Sequence, residues 1–373
     1  MKGHRASNTS LGVIPSAFPQ RPWQQALCHT SHIHAARWMG TLRDHPAGVA
    51  CQCDWIIVSS GNRKLKWGGE GCMYMKSNRR PQVIYVGTRI VDKFTGLVDH
   101  LPNKVVIVTG MNDETFPINV DPRYDTSEDG QQRRLREFYT IVNNSNVVHW
   151  FIENLSLNHP KVSPLPIGFL HYVDTIQYPH PSPDELYAKL RNASLPVWSS
   201  RPVQVLSIDK VRDGRGVWRD RQIAFDLCQK SVFCVTTHSL LQQQKQEQQQ
   251  LGGTLNHDHF MFSLLQVQFT VMVHVGGLDP CPKLFEALLL GSIPIIEHSP
   301  LSWMYELPHF PVAVVSNIPA FLHSNNTQAS LALLAQWTKE LSPYFLEDTL
   351  RQEVLSHLSS DYWWGVIRSK YNA

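Results

Sequence analysis

What the chain lacks narrows it first. No window of roughly 18 apolar residues occurs along its 373 positions, so no membrane-spanning helix is expected. The opening stretch, Met1 to Gln20, has basic residues but no compact apolar run ahead of a cleavage site, and no signal peptide is recognised. The expectation is a soluble protein, or one whose N-terminal anchor lies outside this chain. Charged residues make up only 17% and the formal net charge is +3. Lys and Arg are scattered, which excludes a nucleic-acid stripe or a polybasic membrane patch and leaves a mild attraction for phosphates. Cys51 and Cys53 lack the second ligand pair of a zinc site. Together with Cys28, Cys72, Cys228, Cys234 and Cys281 they allow one or two disulfides in an oxidising compartment, with one thiol left over. No Gly-x-Gly-x-x-G follows the first strand, which excludes a dinucleotide fingerprint of that kind.

What is present suits a two-domain protein. The length exceeds what one hydrophobic core serves, and a hydrophobic fraction of 42% is enough for two. The 11 Trp fit either a cleft with flat apolar walls or, more simply, core filling. Asn-x-Ser/Thr sequons at Asn8, Asn143, Asn154, Asn192 and Asn325 permit glycosylation in a secretory pathway.

Residues 1–54 are rich in Pro, His and Ser, and an irregular entry segment is expected. Then come Asp54 to Val58, Gln82 to Val86 and Lys104 to Thr109. These short β-branched runs predict buried parallel strands. A crossover over Thr88 to His100, a helix over Gly130 to Asn144 and a strand over Asn146 to Phe151 complete an α/β domain at 55–195. The proline-rich stretch 159–201, with one helix near Asp184 to Arg191, predicts an interdomain connection. A second α/β domain is expected at 196–345. It has strands at Val203 to Ser207, Ser231 to Thr236, Gln268 to Val275 and Ile293 to Ile296, and helices at Arg219 to Gln229 and Pro280 to Leu290. Gln242 to Gln250 reads as an exposed insertion. The aromatic tail within 346–373 predicts an amphipathic helix that needs a partner surface, and the first domain can supply it.

The chemistry concentrates at Val275 to Ile296. A strand ends in Gly276-Gly277, Asp279 is placed to cap a helix, Pro280 suits its first turn and Gly291 ends it. A helix N-terminus beside a glycine turn is an anion site. Lys283 lies near that end, and Glu286, three residues on, shares its face. A carboxylate there can hold both hydroxyls of a ribose. An ordinary surface pair on an amphipathic helix has the same spacing.

Those residues also carry a resemblance. Asp279, Lys283, Phe285, Glu286, Ala287 and Gly291-Ser292-Ile293-Pro294-Ile295 resemble the nucleotide-sugar-binding segment of exostosin-like glycosyltransferases. So do Ser299-Pro300-Leu301, Tyr305 to Pro308, His149 to Asn154, His159-Pro160-Lys161 and Leu165 to Gly168. The resemblance runs over roughly 105–320 and departs at Lys283, where Arg is usual; Lys carries the charge without the bidentate fork.

It implies a GT-B-like fold: two Rossmann-like domains whose parallel sheets face a central cleft, with the last helix returning to the first domain. It also implies transfer from a nucleotide-sugar, UDP-linked, to a glycan or glycoprotein hydroxyl in the Golgi lumen, with membrane association only through an anchor not visible here. Lys283 and Arg219 or Arg221 would balance the diphosphate, with no metal, since no Asp-x-Asp occurs. Asp113, Glu114 or His149 would serve as base, with Glu153 and His171 as rivals. The rival class is a non-catalytic nucleotide- or glycan-binding protein on the same fold.

Overall fold

Runs such as Ile56-Ile57-Val58 and Val105 to Val108 are apolar at every position, so the strands they form need cover on both faces. The computed structural model describes residues 37–39, 48–59, 71–75, 80–110, 114–121, 123–172, 198–207, 219–240, 257–274, 277–280, 282–306 and 310–372. Asp113, Gly276, the helix expected at Asp184 to Arg191 and the glutamine run lie outside them.

The strands are β1 (Arg37–Met39), β2 (Trp55–Ser59), β3 (Gly71–Met75), β4 (Val83–Gly87), β5 (Val105–Gly110), β6 (Val147–Ile152), β7 (Val162–Pro164), β8 (Leu170–Tyr172), β9 (Val205–Ser207), β10 (Cys234–Thr236), β11 (Phe269–Met272), β12 (Ile293–Glu297) and β13 (Ala313–Val315). The helices used below are α1 (Val49–Gln52), α2 (Glu128–Val142), α3 (Arg219–Cys228), α4 (His257–Leu264), α5 (Lys283–Leu290), α6 (Ser302–Tyr305), α7 (Thr327–Leu341), α8 (Asp348–His357) and α9 (Ser360–Asn372).

Two sheets organise them into a GT-B-like α/β architecture. The first has the order β3-β2-β4-β5-β6-β7, parallel from β2 to β7, with β3 added antiparallel at the edge. The second has the order β10-β9-β11-β12-β13, all parallel. Its chain runs from β9 out to β10 and returns to β11 on the other side of β9. That reversal is a topological switch point, where open α/β sheets bind ligands at the strands' carboxyl ends.

Alternation divides each strand between two cores. Trp55, Ile57, Ile107 and Trp150 pack with Phe138, Ile141 and Val142 of α2. Ile56, Val58, Val106, Val108 and Phe151 belong to a continuous core that also holds Leu284, Phe285 and Leu288 of α5 and Trp363 and Ile367 of α9. Helix α9 lies against α1, β5 and β6. The outer face of the second sheet packs Phe269, Val271, Ile293 and Ile295 against Ala224 and Cys228 of α3 and Leu334 and Trp337 of α7. The Cys228–Cys234 disulfide ties the end of α3 to β10. Cys51 is disulfide-bonded as well, and the Cys53 thiol donates to Val49 O at 3.5 Å.

Three expectations are corrected. The segment 1–54, read as irregular, supplies β1, paired with β8, and α1. The proline-rich stretch after 159 supplies β7, where Pro164 is tolerated because the strand is at the sheet edge. The helix expected from Pro280 begins at Lys283, and its cap position is Pro282 with no side-chain cap, so Asp279 is not its cap. Pro282 has helical angles and its carbonyl accepts from Glu286 N–H at 3.2 Å, a position at the helix start where a missing N–H costs nothing.

Helix α5 is buried from Leu284 to Leu290, so its last carbonyls must find protein donors. Gly291, at φ 79°, supplies the left-handed residue that closes it. Ser292 N–H then donates to Ala287 O at 2.8 Å and Gly291 N–H to Leu288 O at 3.3 Å. Two guanidinium groups complete the set. Arg351 donates to Leu288 O at 2.8 Å and Leu289 O at 2.7 Å. Arg201 donates to Leu290 O at 3.0 Å and Gly291 O at 3.0 Å, and also to Leu264 O at 3.3 Å. Burial pulls the Arg201 pKa down to about 10, so it stays charged at neutral pH and complements the negative end of the helix dipole. Replacing Arg201 by Met keeps the bulk and orphans three buried carbonyls. Urea unfolding followed by Trp fluorescence is expected to show a loss of about 3 kcal/mol, and of about 1–2 kcal/mol for the more exposed Arg351→Met.

Candidate functional site

The carboxyl ends of the two sheets meet on Asp279. In a turn that begins after β11, its backbone N–H donates to Asn154 Oδ1 at 2.8 Å. Its Oδ2 accepts from Ile167 N–H at 3.3 Å and from the Tyr305 hydroxyl at 3.2 Å. Asn154 follows β6 and Ile167 follows β7, so both first-sheet partners come from the carboxyl side of that sheet. Asp279 is 5% exposed and Asn154 1%. Asn154 adopts φ 50°, a left-handed conformation that Asn tolerates better than most residues. Its burial leaves no room for a glycan on this sequon in the folded protein.

Next to it, Glu153 is buried at 2% exposure, directly beyond β6. Its carboxylate fills the space that a side chain at position 110 would occupy: a Cβ on Gly110 would overlap the Glu153 carboxyl group. Glycine at the end of β5 is therefore what lets this carboxylate lie across the carboxyl ends of the two central strands.

On the second sheet, α5 starts beyond the Asp279 turn. Lys283 is half-buried, its ammonium 5.1 Å from the centre of the Phe260 ring on α4. Glu286 is buried on the next turn, and Gly277 is half-buried in the preceding loop. In α3, Arg219 is exposed and Arg221 is buried. Both α3 and α5 follow a parallel strand and lead to the next, so their N-termini lie at the carboxyl edge of the sheet.

Sequence reasoning missed His274, just past β11. Burial pushes its pKa below the usual histidine value, against the opposing pull of Glu297, a hydrogen bond to the Asp279 backbone, and Asp220. Its Nδ1 is buried with no hydrogen-bond partner, as is Oγ1 of Thr237 just past β10. Two unsatisfied polar atoms at one sheet's carboxyl edge are a signal that only the tertiary structure carries.

The base candidates fall on the first sheet. Asp113 lies outside the described residues, as does the side chain of His171. Glu114 Oε1 pairs with Arg134 Nη1 at 3.4 Å. Burial raises its pKa, and Arg134 and Arg89 draw it back. Arg134 also donates to Pro117 O and Asp125 O, so Glu114 belongs to the frame of that loop. His149 is in β6, three residues short of its carboxyl end, with Nε2 2.8 Å from Ser163 Oγ. Among the described residues no cluster of three or more His, Cys, Asp or Glu could hold a metal ion, and no helix is long and apolar enough to cross a membrane.

No protein-family model matches the chain, and no curated protein matches it. Among solved structures it is similar to a UDP-forming α,α-trehalose-phosphate synthase from Burkholderia xenovorans in complex with glucose-6-phosphate. That match has 11% identity and a TM-score of 0.39, over 78% of this chain and 74% of that one. It is similar to the catalytic domain of starch synthase IV from Arabidopsis thaliana, bound to ADP and acarbose, with 12% identity and a TM-score of 0.36 over 80% and 73%. TarM matches with 9% identity and a TM-score of 0.35 over 78% of this chain and 55% of its own.

The His149 environment gives a pH signature. Burial, followed by the charge of Lys370, lowers its pKa to about 4, so the folded protein refuses a proton that the unfolded chain accepts. Stability is unaffected by this group above the unfolded value and falls as pH drops from about 6.5 toward 4. Denaturation at pH 7.5 and 5.0 is expected to show that loss, and His149→Gln should reduce it by about 1–2 kcal/mol. An unchanged pH dependence in the variant would refute the assignment.

Proposed function

We propose that this chain is a glycosyltransferase of the exostosin-like, GT-B kind, moving a sugar from a nucleotide donor, UDP-linked, to a glycan or glycoprotein hydroxyl. The observation that carries this reading is the junction on Asp279. It brings the carboxyl ends of both parallel sheets together beside the helix that holds Lys283 and Glu286. Donor and acceptor must meet where transfer occurs, and a cleft between two such edges provides the place.

In this reading Lys283, Arg219 and Arg221 neutralise the departing diphosphate, with the N-termini of α3 and α5 adding oriented dipoles. Glu286 takes the ribose hydroxyls. Gly277, which has no side chain, lets the backbone pass close to the donor. Asp279, which belongs to the segment that resembles a nucleotide-sugar site, acts in this reading as a positioning residue, since its carboxylate accepts from Ile167 N–H and the Tyr305 hydroxyl. The acceptor's proton goes to a first-sheet group among Asp113, Glu114 and His149, or to Glu153, whose carboxylate lies at the ends of β5 and β6. The disulfides suit an oxidising compartment and support the Golgi lumen as the site of action.

A second reading, a nucleotide- or glycan-binding protein without turnover, is favoured by the engagement of Glu114 with Arg134 and of His149 with Ser163.

Titration calorimetry with UDP, GDP and UDP-sugars separates these outcomes. Saturable binding of one nucleotide, weakened about tenfold or more by Lys283→Ala and by Glu286→Ala, is expected. No nucleotide binding by the folded protein overturns the donor site. Binding without nucleotide release from any UDP-sugar across a panel of glycan acceptors selects the second reading.

A further inference from the structure

Resting on the secretory-compartment part of that reading, we infer that Asn325 carries an N-linked glycan, and that this glycan covers the exposed side of α7. Three of the Asn-x-Ser/Thr sequons, at Asn143, Asn154 and Asn325, lie among the described residues. Asn154 is 1% exposed and stays bare. Asn325 is exposed, in the turn that joins the short helix Ile318–Leu322 to α7. Other side chains hold that turn. Asn326 Nδ2 donates to Ala320 O at 2.7 Å, the Thr327 hydroxyl donates to Ser324 O at 2.7 Å, and His323 Nδ1 accepts from Asn325 N–H at 3.2 Å. The Asn325 amide has no part in this framework, so a sugar attached to it breaks none of these bonds.

The helix that follows selects Asn325 over Asn143, which is exposed as well. Helix α7 buries Ser330, Leu334 and Trp337 against the second sheet. From Thr327 to Thr338 it contains no charged residue, and Gln328, Ala329, Leu331, Ala332, Leu333 and Ala335 face solvent. Leu331 is 41% exposed and Leu333 37%. The outward side of a surface helix is ordinarily polar, and a soluble surface is roughly a quarter to a third charged. An N-linked glycan is bulky and solubilising, and one attached two residues ahead of α7 is placed to hydrate its first turns. Asn143, by contrast, ends α2, whose outward side already presents Glu128, Asp129, Arg133 and Arg136 to water.

The full chain, with its own N-terminus, would be isolated from a eukaryotic secretory host. Enzymatic release of N-glycans in heavy-oxygen water then labels each asparagine that bore one, and peptide mass spectrometry reads the label. Asn325 is expected to carry it and Asn154 is not. Asn325→Gln should lose the mass of one glycan and keep the unfolding temperature of the wild type. By light scattering it should self-associate at no more than about half the concentration at which the wild type does. An unlabelled Asn325 beside labelled sequons elsewhere overturns the proposal and leaves the compartment standing. No label on any asparagine overturns both. A labelled Asn325 whose Gln variant associates no more readily than the wild type overturns the covering role. UDP calorimetry on the same preparation reports the donor site independently of all these outcomes.

Discussion

The second sheet is arranged around one constraint, the burial of helix α5. A helix covered on nearly every side cannot leave its terminal carbonyls to water, and each unpaired one costs about 1–3 kcal/mol. The chain satisfies them from two distant places, Arg201 just before the second sheet and Arg351 on α8. Those two arginines bind the entrance of the second sheet and the C-terminal helices to the same helix end. From α8 the chain continues into α9, which packs Trp363 and Ile367 into the core beneath the first sheet. The C-terminal end of α5 is thereby closed, and its N-terminal end is directed to the sheet edge, where Lys283 and the Asp279 turn lie.

Asp279 transmits that placement to the first sheet. Three of its hydrogen bonds run to Asn154, Ile167 and Tyr305, and any rotation of one sheet edge against the other must break some of them. Bonds between buried groups exchange poorly with water, so this junction resists small displacements more than an exposed contact would. The neighbouring Glu153 depends on the absence of a side chain at Gly110. A glycine at the end of a central strand is costly in conformational entropy, and here its lack of a Cβ is what admits a carboxylate to the strand ends.

Much of this was legible in the sequence. The runs at 55–58, 83–86, 105–108, 147–152 and 293–296 are mostly apolar and rich in β-branched residues, and each became a central parallel strand. Gly291 followed by Ile-Pro-Ile marked the helix end and the next strand. Of the edge strands, β10 lies within the run read at Ser231 to Thr236, but β7, β13 and β3 were not legible: β7 and β13 have three residues each with no marked apolar run, and β3 includes no run of alternating pattern long enough to mark it. At the site, Lys283 and Glu286 could be read because helical spacing places them on one face. Asn154, Ile167 and Tyr305 could not, because their roles come from contacts between distant segments. The misreading of Asp279 has the same origin: an acidic residue ahead of a helix has the local pattern of a cap, and only the tertiary structure shows its carboxylate turned toward Ile167 and Tyr305.

That reassignment changes the electrostatics of the proposed donor site. Asp220 is flanked by Arg219 and Arg221 on α3, and Glu286 follows Lys283 by three residues on α5, so each proposed cation carries a carboxylate close to it in the chain. Attraction for a diphosphate then cannot rest on local net charge. It has to come from orientation: two helix N-termini directed at one edge, and cations held where the anion arrives while the carboxylates are occupied. Glu297 Oε2 already accepts from Ile318 N–H at 3.1 Å, which draws it away from the strand end. Glu286 has ribose hydroxyls as its proposed partners. A site balanced in this way discriminates by geometry, binding a diphosphate that carries a ribose and a sugar in preference to an equally charged small anion.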